Sequence, residues 1–391
     1  MVSKINKSKI ITCSVALYVI ILFTAGQIST GILYSDLFLP IFFFLILSKF
    51  NKISKNLVLI ISALILYALI ISYLSIIFQN NSLFLAFALL MRFIAFCMML
   101  IFGSIYYENT INGIKFFSPI IFISVLYITF INYLSNTKAY YSYIQIPSIF
   151  SPTQSSFALS ALGLFIFIIG FYTPIKTKQN IFYGLGFSVL GLLTFTNSAF
   201  ASVIFTFLVI FFIFVIKDKT RLFFKKKYFI FFLFIIFLFI LFFEEFLSFF
   251  YRVNYFFINL EFRLNKVAEN KAAMCQNIGC LLFGTGLGSH SFFSNAILGE
   301  TAILGFDQLQ GRILLEWGLF GSGLWILLIL KLMLYNKNLI SLPIIIFILF
   351  GFLFGFGSEF IFENYSGQLY GLLLGATYGF FMKQYNYKNN K

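Results

Sequence analysis

From Leu57 to Phe78 the chain reads LVLIISALILYALIISYLSIIF, without a single charge. A helix of that length spans about 33 Å, the thickness of a bilayer's hydrocarbon core. Comparable runs recur from one end of the sequence to the other. A transmembrane β-barrel would instead alternate apolar and polar residues in segments of about ten, and this chain does not. Of 391 residues, 61% are hydrophobic and 10% charged, with a mean hydropathy of +0.99; soluble domains carry about 25% charged residues. The expected fold is all-α: a polytopic membrane protein with about 12 transmembrane helices and one large extracytoplasmic loop carrying short helices.

The apolar runs place spans at 10–29, 33–49, 57–78, 83–105, 116–134, 156–173, 181–196, 199–216, 228–247, 313–334, 339–357 and 367–382. The run 181–216 is too long for one crossing, and Thr194-Phe195-Thr196-Asn197-Ser198 is the polar turn that divides it. The first run follows Lys4, Lys7 and Lys9 as a signal peptide would. It has no convincing small-residue cleavage site and is read as a retained span.

Charge tests this count. With a cytoplasmic N-terminus, 20 of the 27 basic residues fall on inner segments. Only Lys138, Arg252, Arg263, Lys266, Lys271 and Arg312 fall outside, and of the 12 acids only Glu108 and Asp218 fall inside. That is the positive-inside bias. The net charge of +15 is therefore an orientation signal, which removes nucleic acid as a partner. Three regions follow: 1–247 with nine spans, a loop at 248–312 with the candidate site, and 313–391 with three spans and a cytoplasmic tail. No internal repeat of the inverted kind found in carriers is visible.

A loop of about 65 residues is longer than a mere connector needs. It contains Gly284-Thr285-Gly286-Leu287-Gly288 and then His290, the one histidine. No Lys follows the glycines as a Walker loop requires, and Ser289 stands where a dinucleotide fingerprint needs glycine. What remains is a backbone able to turn tightly or approach a ligand closely, or a flexible return of the loop to the membrane surface. Upstream, EFRLNKVAENKAAMCQN reads as a helix with Arg263, Lys266 and Asn270 on one face. Arg252, Arg263 and Arg312 suit a bidentate grip on an anion; the plain alternative is solvated charges paired with Glu261 and Glu269. His290 and Asp307 are candidate proton acceptors. Glu316 is expected at a helix start, where the helix dipole favours an acid. Arg92, in the middle of a span, needs a polar partner, with Asp36 one possibility. Cys275 and Cys280 could bridge in an oxidising compartment, while Cys13 and Cys97 read as small apolar residues. No metal-binding pattern is present.

The run DQLQGRILLEWGLFG, residues 307–321, resembles the HNxxLxxLxExGxxG pattern of the superfamily of O-antigen ligases and O-antigen polymerases, with Glu316, Gly318 and Gly321 in register. The stretch from Glu261 to Ser289 resembles the same family's outer-loop segment, an arginine, a helix and then LxGxGxGS. The chain departs from the ligases at Asp307-Gln308, where they carry His-Asn, and at Asn197-Ser198 in place of Ser-Arg. Loss of that histidine favours the polymerase. The resemblance implies a metal-independent glycosyltransferase of the bacterial cytoplasmic (inner) membrane, multi-pass with both termini inside, that uses no cofactor. It would join undecaprenyl-pyrophosphate-linked repeat units, with Arg263, Arg312, Arg252 and Arg92 on the pyrophosphate and Asp307 or His290 as base. Its partners would be membrane lipid and a chain-length regulator and flippase of the same pathway. The alternatives are an O-antigen ligase, or a flippase or transporter of lipid-linked oligosaccharide.

Overall fold

The computed structural model describes residues 2–24, 27–29, 32–79, 83–134, 152–172, 177–192, 278–287, 309–336, 339–340, 342–355, 360–362 and 364–389. They form helices α1 (Val2–Thr24), α2 (Leu39–Leu47), α3 (Lys55–Gln79), α4 (Leu83–Ile105), α5 (Tyr107–Leu134), α6 (Pro152–Tyr172), α7 (Thr177–Leu192), α8 (Ile278–Phe283), α9 (Leu309–Met333), α10 (Leu342–Gly355) and α11 (Asn364–Asn389). Two short antiparallel ribbons interrupt them. Strand β1 (Gln27–Ser29) pairs with β2 (Ile32–Leu33), and β3 (Leu334–Asn336) with β4 (Leu339–Ile340).

Among the described residues, four helical segments are long and apolar enough to cross a membrane: Lys55–Leu74, Leu83–Ile105, Tyr107–Tyr127 and Leu309–Met333. Four shorter apolar helices accompany them, at Tyr34–Leu47, Ser156–Gly170, Phe182–Gly191 and Leu342–Gly355. The chain is thus a helical membrane protein. Its surface agrees, since Phe84, Phe116 and Leu59 are 77%, 73% and 70% exposed while Tyr18, Gln368, Arg312 and Glu316 are buried. Apolar residues outside and polar ones inside is what lipid as solvent demands.

Several boundaries differ from the sequence reading. Helix α1 starts at Val2, so Lys4, Lys7 and Lys9 ride on its first turns rather than precede it; lysine is a good helix former. The expected span 33–49 divides into a 3-10 turn, Tyr34–Phe38, and α2, with Pro40 in the opening turn where its missing N–H costs nothing. Helix α9 starts at Leu309, which moves Arg312 out of the loop and into the helix. The expected spans 199–216 and 228–247 lie outside the described residues.

Glycines set the tightest packing. Gly371, Gly375 and Gly379 recur every fourth residue on α11 and lie against Phe96, Leu100 and Ser104 of α4. A Cβ added at Gly371 would lie 2.5 Å from the Phe96 carbonyl oxygen, so the two backbones touch. The small-xxx-small pattern is the membrane substitute for a hydrophobic driving force. Both registers ascend together, so α4 and α11 run in the same direction. Helix α1 also runs parallel to α5, with Ser8 against Asn109 and Thr12 against Gly113. Helices α6 and α7 are antiparallel, with Gly170 on Asn180 and Gly191 on Ser160.

Positions that the charge rule puts inside meet at one end of the bundle. Lys383 bonds Glu108 at 2.5 Å, and both are well exposed. Lys49 lies over the Tyr106 ring at 4.2 Å, and Asn109 donates to Ser8 and Thr12.

Candidate functional site at a break in helix α9

Gly318 has φ 64° and ψ −171°, which splits α9 into two helical pieces. Carbonyls next to such a break must find new donors, since lipid offers none. They find them in the glycine turn. Thr285 N–H donates to the Leu315 carbonyl at 2.9 Å, with its hydroxyl adding a second bond at 3.2 Å, and Gly286 N–H donates to the Glu316 carbonyl at 3.0 Å. The Tyr67 hydroxyl, from α3, lies 2.8 Å from the Trp317 carbonyl oxygen and 2.9 Å from that of Phe283. One hydroxyl proton therefore serves two carbonyls, one on each side of the joint.

The turn is shaped for this docking. Gly284 N–H donates to the Cys280 carbonyl at 2.7 Å and closes α8 with a left-handed cap; Gly284 and Gly286 have φ 81° and 86°. A Cβ on Gly284 would lie 2.6 Å from Gly318 N, and one on Gly318 would lie 2.6 Å from the Leu282 carbonyl oxygen. Phe283 stacks on Phe320 with centroids 5.5 Å apart. Of the two readings of the glycines, a tight turn rather than a flexible return describes Gly284–Leu287. The amides of Thr285 and Gly286 are committed to α9, and Thr285 and Leu287 are buried. The glycines tolerate positive φ as anticipated, but they grip a helix.

Nearly two turns before the break, Arg312 Nε donates to Glu316 Oε2 at 2.8 Å, with the two side chains 1% and 0% exposed. Glu316 is not at a helix start; it lies two turns inside α9 and balances a buried cation. The Arg312 guanidinium also lies 4.7 Å above the Phe362 ring. Arg92 Nη1 reaches the carbonyl oxygen of that same Phe362 at 3.5 Å. Two arginines from different helices therefore converge on one residue of the 3-10 turn Phe360–Phe362. Aromatic rings line the place: Phe93 meets Trp317 at 5.0 Å, and Trp317 meets Trp325 at 5.7 Å and Phe362 at 6.4 Å. In such surroundings charge interactions are strong.

Asp36, raised as a partner for Arg92, accepts from Gln368 Nε2 at 2.8 Å, and Gln368 Oε1 accepts from the Tyr18 hydroxyl at 2.9 Å. Cys280 is disulfide-bonded, and Cys13 and Cys97 are free; Cys275 lies outside the described residues. So do Arg252, Arg263, Lys266, Lys271, His290 and Asp307. The structure brings together Arg92, Arg312, Glu316 and the first two glycines of the turn. The sequence reading missed Tyr67, Phe362, Gln368 and Tyr18, which act through contacts between distant segments. It also passed over one local signal, the i, i+4 spacing of Arg312 and Glu316. No family model, curated protein or solved structure matches the chain.

Proposed function

We propose that the chain is a glycosyltransferase of the O-antigen polymerase kind, joining undecaprenyl-pyrophosphate-linked oligosaccharide repeat units on the outer face of the bacterial cytoplasmic membrane. The observation that carries this reading is that the two stretches bearing the resemblance meet at one joint. Glu316 and Gly318 of the first stretch are bonded to, or packed on, Gly284 and Gly286 of the second. Each position has a physical reason: a counter-charge for Arg312, a positive-φ break, and two positive-φ turns.

The chemistry asks little else of the protein. A pyrophosphate leaving group carries its own activation, so cations to hold it and a base for the acceptor hydroxyl suffice. Arg92 and Arg312 are the described candidates for the cations, joined by Arg252 and Arg263; Asp307 and His290 are the sequence's candidates for the base. No metal or other cofactor is required. Twelve spans with both termini inside is the topology that goes with this reading. The parallel course of α4 with α11 supports it, because spans four and twelve share a direction only if an even number of steps separates them. The disulfide at Cys280 supports an extracytoplasmic loop.

A flippase of lipid-linked oligosaccharide is the second reading, favoured by the broken helix and the buried arginines, which carriers also use for anionic substrates. Deleting the gene separates the readings. Loss of a polymerase leaves surface lipid with a single repeat unit, whereas loss of a flippase or a ligase leaves none. Full chain-length ladders from both Arg263→Ala and Arg312→Ala would remove the proposed site.

A further inference from the structure

A line of buried polar side chains ends on Asp36. Tyr18 is fully buried, its ring held edge-on by those of Phe42 and Phe38, with centroids 5.3 Å and 6.2 Å away. Its hydroxyl donates to Gln368 Oε1, also buried, whose amide N–H donates on to Asp36 Oδ1. Asp36 itself is only half-buried. Placing a tyrosine hydroxyl and a glutamine amide inside an apolar bundle costs several kcal/mol unless every bond is made. Here the bonds are spent on orienting one partly exposed carboxylate, the way a supporting shell is built behind a working group. Next to Gln368, Tyr365 is a buried hydroxyl with no hydrogen-bond partner among the described residues.

The packing also fixes how deep this carboxylate sits. Phe96 lies against Gly371, so Arg92, one turn earlier on α4, is level with the first turn of α11, where Gln368 holds Asp36. Arg92 reaches Phe362, whose ring Arg312 covers. A half-open carboxylate and two guanidinium groups thus surround the start of α11. Glu316, the other described carboxylate here, is 0% exposed and engaged by Arg312, so Asp36 is the more accessible of the two.

We infer that Asp36 is the general base of the transfer, receiving the proton of the acceptor sugar's hydroxyl; this rests on the glycosyltransferase reading above. The hydroxyl oxygen forms the new bond to the donor's anomeric carbon. The bond from that carbon to the pyrophosphate oxygen breaks, and its electron pair leaves with undecaprenyl pyrophosphate. The acceptor proton ends on the Asp36 carboxylate. No oxidant or reductant enters. Tyr18 and Gln368 are positioning residues, since they reach the substrate only through Asp36.

The test compares Asp36→Asn, Asp307→Asn and His290→Gln with the wild type. Asparagine keeps the shape of Asp36 and an oxygen for Gln368, so only the basic group is removed. Chain growth is followed in membranes supplied with lipid-linked single repeat units, and binding of undecaprenyl pyrophosphate is measured on purified protein. The expected result is a fall of about a hundredfold or more in the turnover rate of Asp36→Asn, with binding unchanged. Tyr18→Phe should lower kcat by a smaller factor and leave KM alone, a split that a packing defect would not give. Growth of Asp36→Asn within about twofold of wild type overturns the assignment, as does its loss of pyrophosphate binding or its failure to accumulate in the membrane. A wild-type protein that binds the lipid but never extends it sinks the polymerase reading instead.

Discussion

The backbone N–H of Gly286 donates to the carbonyl oxygen of Glu316 across 3.0 Å, while the side chain of Glu316 holds Arg312 at 2.8 Å. One residue thus fixes both the seat of the glycine turn and the charge beside it. A shift of the turn must disturb the arginine, and a change at the arginine must be felt by the turn.

Gly318→Ala should be among the most damaging small substitutions in the chain. Its φ of 64° costs an L-residue about 1–2 kcal/mol, and the new Cβ would lie 2.6 Å from the Leu282 carbonyl oxygen. We expect a loss of at least about 2 kcal/mol in total. Gly323→Ala, five residues on, is the control, because nothing lies within 4 Å of a Cβ there; helix propensity makes it neutral or stabilising by up to about 1 kcal/mol. Thermal unfolding of the two variants in detergent checks the contrast.

Glu316→Gln removes the carboxylate that accepts from the buried Arg312 at 2.8 Å, at a cost of about 3–5 kcal/mol. Replacing both residues together, Arg312→Met with Glu316→Met, should recover much of that stability and still abolish any function that needs the cation. Stability and chain-growth assays run side by side would show the two effects part; a double variant as unstable as Glu316→Gln would contradict the account.

Gly375→Leu should block the closure of α11 on α4, because even a bare Cβ there lies 2.9 Å from the Leu100 carbonyl carbon. The expected readout is protein that inserts but is rapidly degraded. By contrast, Lys383→Ala removes a pair with side chains 65% and 60% exposed and should cost less than about 1 kcal/mol.

Cysteine labelling tests the orientation. Ile278 is 78% exposed at the start of α8, so Ile278→Cys should react with a membrane-impermeant maleimide added to intact cells stripped of their outer layers. Asn112→Cys, near the Lys383–Glu108 end, should react only after permeabilisation. Labelling of both from the same side would refute the twelve-span topology.

Much of the architecture was legible in the sequence because hydrophobic length is a local property. The run 83–105 coincides with α4, and 57–78 lies inside α3. The division of 33–49 and the start of α9 at Leu309 were not legible, since they depend on a 3-10 turn and on a helix running past the apolar edge. The candidate site was read in part. Arg92, Arg312, Glu316 and the glycines stand out in the sequence, but the charge edge of the span is not its structural start, so Glu316 lies inside the helix rather than at its head. The break at Gly318 could not be foreseen from its neighbours, because the residues that make it tolerable are Thr285, Gly286 and Tyr67. The glycine period on α11 is visible in the sequence as small residues at every fourth position.

That glycine period governs when the protein can finish folding. Helix α11 docks on α4 through Gly371, Gly375 and Gly379, and the Lys383–Glu108 pair that ties it to α5 spans the same sequence separation of 275 residues. Contacts that distant form late, after loop-closure entropy has been overcome. During synthesis α4 must therefore wait in the membrane with its glycine-fitting face covered only by lipid or by a temporary neighbour. Until α11 arrives, the Gln368 that holds Asp36 and the Phe362 that joins the two arginines are both missing, so a growing chain cannot assemble this site early.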